Sequence, residues 1–297
     1  MKLVQDKNFY QDLAKLRVAV LRDGKEIVAS DVPKEEGNPY QMTTAEDGHH
    51  GPYPRLGVRG TYEEGDQILV ESDREMTWVW IRLDATMDEA LVLMREKRYT
   101  FTIPFGDKKV GHDPAAFTGD VHLITARAAR KEEIEARRCI SFNPDDLHEN
   151  TTTYPHSTAN IETRGEASFA SRNATDGLHA NLGHGPWPYQ SWGINRDPKA
   201  AMTIDFGTKM AVDSVRFTIR YDFPHDAYWN QAEIIFDDDE SKRFTLELEK
   251  TDLPQVFDLP ETVSCQSVRL EALIKNPDCE SPFPALTQIE FYGKPEA

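Results

Sequence analysis

MTIDFG at Met202–Gly207 and VDSVRFTIR at Val212–Arg220 set apolar and polar residues at alternate positions on either side of Gly207-Thr208-Lys209. A period of two with β-branched and aromatic residues on one side is the mark of strands that bury one face. The pattern continues in Ala232–Phe236, Phe244–Leu248, Gln255–Leu259, Ser267–Ile274 and Thr287–Tyr292, and no helical period interrupts it. Many short strands and few helices predict an antiparallel β-sandwich behind the polar opening stretch Ala159–Ser168.

The first half of the chain reads in the same way. Arg17–Ser30 forms two β runs around Asp23-Gly24, a dipeptide suited to a tight hairpin. An amphipathic stretch, Asp6–Leu16, precedes it, and a loop rich in Gly, Pro and His, Asn38–Pro54, follows. Arg55–Thr61, Gln67–Ser72, Thr77–Leu83, Ala90–Met94 and Tyr99–Ile103 are further strands, with Glu64-Gly65-Asp66 as a turn between two of them. Val121–Arg138, rich in Ala, Glu and Arg without Gly or Pro, predicts a helix in at least its second half. The polar segment Asn143–Pro155 suits an exposed connection. The expected architecture is therefore all-β: two tandem β-sandwich, jelly-roll-like domains, residues 1–150 and 151–297, with a short connecting helix.

Composition narrows the function. The 297 residues include 51 acidic and 34 basic side chains, a formal charge of −17, and such a surface repels phosphate backbones and anionic membranes. Nucleic acid and membrane are not the expected partners. The start, MKLVQDKNFYQDLAKL, lacks the apolar core of a signal peptide, so a cytoplasmic protein is expected, or a secreted one if a leader was removed. Cys139, Cys265 and Cys279 are too few for a disulfide framework and suit a reducing compartment, although the spacing leaves room for one Cys265–Cys279 bridge.

The order Asn173-Ala174-Thr175-Asp176-Gly177, Trp192, MTIDFG, VDSVRFTIR and TQIEFYG (Thr287–Gly293) resembles discoidin domains, the group holding the factor V and VIII C-domains and the family 32 carbohydrate-binding modules. Their frame runs from an Asp-Gly loop through a Trp to a closing EIEVYG strand. The resemblance covers about the last half of the chain and implies a galactose-binding-like sandwich that holds a sugar. The whole chain also resembles a group of bacterial proteins described only as carbohydrate-binding, in which segments such as GPWPYQSWGIN (Gly185–Asn195), DFPHD (Asp222–Asp226) and SPFPALTQ (Ser281–Gln288) recur.

Two loops hold the candidate chemistry. Gly183–Asn195 offers Trp187, Tyr189 and Gln190, flat rings beside hydrogen-bonding groups, which is what the C–H face and hydroxyls of a sugar require. Trp192 is core in the discoidin frame. Arg220–Trp229, RYDFPHDAYW, offers Arg220, Asp222, His225, Asp226, Tyr228 and Trp229. Arg220 either presents its planar fork to a ligand or pairs with Asp222 or Asp226 to shape the loop. If the protein is an enzyme, a lyase or glycosidase, its catalytic groups are His225, Asp222 and Asp226, although no nucleophile motif accompanies them. The resemblance also implies a structural calcium ion on Asp176, Ser191 and Glu290; Asp176 alternatively only shapes the Asp-Gly turn. His179 and His184, with or without His225, lie on a Gly-containing loop, a poor frame for zinc. His49 and His50 in EDGHHGPY (Glu46–Tyr53), and DDDE at Asp237–Glu240, read as solvated loop.

Overall fold

A computed structural model of the protein describes residues 12–27, 50–148 and 151–296. Most of the amphipathic stretch Asp6–Leu16, the end of the first hairpin segment beyond Ile27, and most of the loop Asn38–Pro54, His49 included, lie outside the described residues. Two compact units form: one runs to Ile103 and adds Ala115–Ile134, and the other joins Pro104–Pro114 to everything from Glu135 onward.

In the first unit, β1 (Leu16–Arg22), β2 (Lys25–Glu26), β3 (His50–Gly51), β4 (Arg55–Arg59), β5 (Gln67–Ser72), β6 (Thr77–Arg82), β7 (Ala90–Met94), β8 (Arg98–Thr102) and β9 (Val121–Ala128) build two antiparallel sheets. One has the order β2-β1-β5-β8 with β3 on β1; the other includes β7-β6-β9-β4. Alternate residues such as Val18, Val20, Ile68, Val70, Val79, Ile81 and Phe101 are buried, as the period of two requires. The helix expected over Val121–Arg138 is a correction. Its first half is β9, with His122, Ile124, Ala126 and Ala128 buried and the residues between them turned outward. Pairing on both sides, to β4 and β6, outweighs the helical propensity of an Ala- and Arg-rich stretch. Only α1 (Lys131–Ile134) is helical, a single turn.

The second unit contains β10 (Arg138–Cys139), β11 (Thr153–Tyr154), β12 (His156–Ala159), β13 (Trp192–Gly193), β14 (Met202–Ile219), β15 (Trp229–Phe236), β16 (Arg243–Glu247), β17 (Gln255–Lys275) and β18 (Ala285–Pro295). Because Arg138–Cys139 pairs with Tyr292–Gly293 of β18, this unit begins well ahead of the boundary read near Asn150. The runs read as separate strands at Met202–Phe206 and Val212–Arg220 are one continuous strand, β14. Its register slips between Asp205 and Met210 and again between Val212 and Ser214. Ahead of the first slip β14 lies between β12 and β17; beyond it, between β17 and β18. Two long strands thus serve two sheet faces, turning from one to the other at bulges.

Phe291 of β18 packs edge-on against Phe206 and Phe236, each with ring centres 6.1 Å away, while Phe217 meets Trp229 at 6.1 Å. These rings are fully buried and form the centre of the core. The backbone of β18 presses on β14 at the Gly of the closing TQIEFYG. A Cβ on Gly293 would lie 2.2 Å from the carbonyl oxygen of Ala211. Backbone cannot yield as a side-chain tip can, so Gly293→Ala is expected to destabilise the protein by about 1–3 kcal/mol. The measurement is the urea midpoint against wild type at unchanged m-value.

Candidate functional site

The residues that gather the loops of the second unit are polar and buried. Asn181 donates through Nδ2 to the carbonyls of Ile219 (3.0 Å) and Asp252 (2.9 Å), and its own carbonyl accepts from the Tyr221 N–H at 2.7 Å. At the end of β14, the Arg220 N–H donates to Ala285 O at 3.0 Å and its guanidinium donates to the carbonyls of His225 (3.3 Å) and Phe283. Arg220 Nε lies 2.8 Å from Asp222 Oδ1, an ion pair by distance in which the N–H does not point along the line to the oxygen. Both side chains are 5% exposed. Burial pushes the guanidinium pKa below its ordinary value, and Asp222 opposes that shift. Asp222 also accepts from Nδ1 of His184 through its second oxygen, which fixes that imidazole at the loop surface.

Around this network stand exposed rings. His184 meets His225 edge-on at 4.6 Å, and His225 meets Phe283 at 5.3 Å. The Arg196 guanidinium lies 5.5 Å from the centre of the Phe283 ring. Phe223 is 88% exposed, and Phe283 and Tyr189 are each 41% exposed, an unusual display for large apolar side chains. The Tyr189 ring covers Gly183, where a Cβ would come within 2.6 Å of it. Nδ1 of His225 is buried without a hydrogen-bond partner. The arrangement offers imidazole donors and acceptors beside flat apolar faces.

Of the residues expected in the site, Arg220, Asp222 and His225 are brought together, with Tyr189 on the neighbouring loop. Trp187, half-buried, is anchored through its N–H to the carbonyl of Val110 at 2.8 Å. Asp226 pairs with Lys250 at 2.5 Å, and the Tyr228 hydroxyl accepts from Asn276 Nδ2 at 2.5 Å. Asp222 and Asp226 are thus each engaged by a neighbour rather than presented as a catalytic pair. Two expectations are corrected. Trp229 is fully buried against Phe217 and belongs to the core, and Gln190, 2% exposed, faces inward to Asp176. Trp192 is also core, its indole N–H donating to Ile161 O at 3.0 Å. Phe283 and Arg196 join this cluster without a reading from sequence, and His184 was weighed there only as a metal ligand. SPFPALTQ was the available signal for Phe283, whereas His184 enters only because buried Asp222 holds it.

Asp176 is enclosed. Its Oδ1 accepts from Leu178 N (2.9 Å) and Gln288 Nε2 (2.7 Å), and its Oδ2 from Gln190 Nε2 (2.8 Å). Burial pushes its carboxyl up to about 6 against the lowering effect of these donors and of Arg172. Ser191 is buried with its hydroxyl unpartnered, and Glu290 accepts from the Tyr292 hydroxyl at 3.0 Å and stands 3.7 Å from His179. Among the described residues no group of three or more His, Cys, Asp or Glu is arranged to hold a metal ion, and the three cysteines are free thiols.

No family model matches the chain, and no curated protein matches it. Its neighbours among solved structures are family 32 carbohydrate-binding modules and discoidin-like lectin domains. One is the family 32 module of NanJ from C. perfringens in complex with galactose, 15% identical, covering 46% of this chain and 91% of that one at a TM-score of 0.35. Another is a fucose-binding module from Streptococcus pneumoniae, 16% identical, covering 52% and 97% at 0.37. A third is a mutant lectin-binding domain of lectinolysin complexed with Lewis b, 13% identical, covering 55% and 99% at 0.38.

Two outcomes are expected from this geometry. Arg220→Ala leaves Asp222 buried without its cation and two loops without their clamp, and is expected to cost about 3–5 kcal/mol in chemical denaturation. Asp176 gives a pH signature. Its folded pKa of about 6 lies above the unfolded value, so the native state binds the extra proton between those two values. Its ionised form therefore costs stability in full above pH 6, and that cost shrinks as pH falls from about 6 and is gone only near the unfolded value, about pH 4. Melting temperatures over that range should rise in wild type, and the slope should be smaller in Asp176→Asn.

Proposed function

We propose that this protein binds a carbohydrate at the loop end of its second sandwich. His184, His225 and the Arg220–Asp222 pair supply and orient the polar contacts, and Phe223, Phe283 and Tyr189 supply the apolar faces. The observation that carries this reading is the buried Asp222 holding His184 beside His225, with Phe283 packed on His225 and Phe223 almost fully exposed. A sugar is apolar across its C–H face and polar around its rim, and recognition needs both kinds of surface at fixed separation. Loops clamped through buried side chains provide that separation with little ordering cost on binding. Binding without turnover is favoured over hydrolysis or elimination because Asp222 and Asp226 are each already engaged, with Arg220 and His184 and with Lys250 respectively.

The test is calorimetric titration with a panel of monosaccharides and their uronic acids. At least one is expected to bind wild type, and Phe223→Ala and His184→Ala should each weaken it about 3- to 10-fold. Phe223 is 88% exposed, so ligand-free Phe223→Ala should melt with wild type; His184→Ala leaves a buried oxygen of Asp222 without its partner and should melt lower, and its binding is read at a temperature where it remains folded. No binding by any sugar at millimolar concentration overturns the proposal, and release of product from a bound oligosaccharide would move it to an enzyme.

A further inference from the structure

One side chain bridges the Asp176 turn from both sides. Gln288 Nε2 donates to Asn173 O at 2.7 Å as well as to Asp176 Oδ1 at 2.7 Å, and its Oε1 accepts from Gly177 N at 2.9 Å. Two acceptors on the nitrogen side and a donor on the oxygen side fix which way this amide points. Gln190 closes the other carboxylate oxygen at 2.8 Å. The turn, the aromatic loop and the closing strand are thereby tied at one buried carboxylate.

The calcium ion implied by the discoidin resemblance needs six to eight oxygen ligands converging on one point. These residues do not fit it. Both oxygens of Asp176 are met by N–H donors, one oxygen of Glu290 is taken by the Tyr292 hydroxyl, and the Ser191 hydroxyl alone of the implied set is without a partner, while among the described residues no three or more His, Cys, Asp or Glu are grouped to hold an ion. We infer that the side-chain amides of Gln288 and Gln190 hold the Asp176 turn in place of a divalent cation, so that the loops of this unit are ordered independently of calcium. Gln288 joins a carbonyl to a carboxylate, the bridging work of a cation, by hydrogen bonds alone. In the closing pattern EIEVYG, matched here by QIEFYG, Gln288 stands at the first glutamate and Glu290 at the second. At that position the amide nitrogen donates where a carboxylate could only accept. A cavity of about 210 Å³ lined in part by Thr175, Gly177, Gln288 and Glu290 adjoins the turn. This inference stands apart from the sugar-binding reading and needs no ligand for its test.

The experiment compares the full chain in EDTA and in calcium chloride, by thermal shift and by calorimetry. Wild type is expected to melt at the same temperature in both and to show no calcium heat. Stoichiometric calcium binding to wild type that raises its melting temperature by about 5 °C or more overturns the inference. Gln288→Glu is expected to melt lower than wild type in EDTA and to recover with calcium, because it adds an oxygen ligand beside Asn173 O and Asp176. A Gln288→Glu protein indifferent to calcium overturns the assignment of this position to the cation's place. Should that variant fold poorly, Gln288→Met removes the donor without adding a ligand; its expected loss of melting temperature should persist in calcium, and recovery would count against the inference.

Discussion

The loop end of the second sandwich depends on a guanidinium buried where a strand ends. Arg220 carries its charge to the last position before the loop, and there it meets one carboxylate and the carbonyls of two other segments. A charge so enclosed is tolerated only with its partners in place, so the loops that supply them are fixed by the cost of leaving it unpaired. The surface chemistry follows. Asp222 is drawn inward by Arg220, and its remaining oxygen holds His184. The exposed imidazole is oriented from beneath, by a group that does not itself reach solvent.

Strand sharing gives this clamp its rigidity. β14 lies between β12 and β17 at Met202–Asp205 and between β17 and β18 at Met210–Phe217, so β17 accompanies it while its other neighbour changes. A displacement of the Arg220 end therefore strains pairing in both layers, which the Phe206, Phe236 and Phe291 rings hold at close-packed spacing. The aromatic loop is pinned along its length, at Trp187 by the Val110 carbonyl and at either end by a side chain. Asn181 fastens its start to β14, and Gln190 fastens its end to Asp176. Between those pins lie His184, Trp187 and Tyr189, so an irregular segment is displayed without being loose.

The sandwich architecture was legible because a period of two repeats along most of the strands. What escaped the sequence was decided by pairing rather than by pattern. Val121–Ala128 has the composition of a helix and becomes a central strand because neighbours on both sides claim its backbone. The two runs around Gly207 merge because bulges let one strand continue where sequence shows an interruption. In the site, residue types were read well but their facing was not: Trp229 alternates inward in β15, while Tyr228 one position earlier is half-exposed. Gln190 and Gln288 were invisible as determinants, since an amide announces nothing until the carboxylate it satisfies is known.

Two buried polar centres thus shape one unit, and they differ in what they leave over. At Asp176 both carboxylate oxygens are met by N–H donors, and what is left over, Oε1 of Gln190 and the Ser191 hydroxyl, is buried. At Arg220 the guanidinium donates to carbonyls and is held beside Asp222 by charge, and Asp222 holds an imidazole whose ring remains 44% exposed. A closed centre contributes stability and shape. One that reaches the surface through an exposed imidazole contributes hydrogen-bonding capacity there, and this, set among exposed rings, is what a polar ligand with an apolar face can complete.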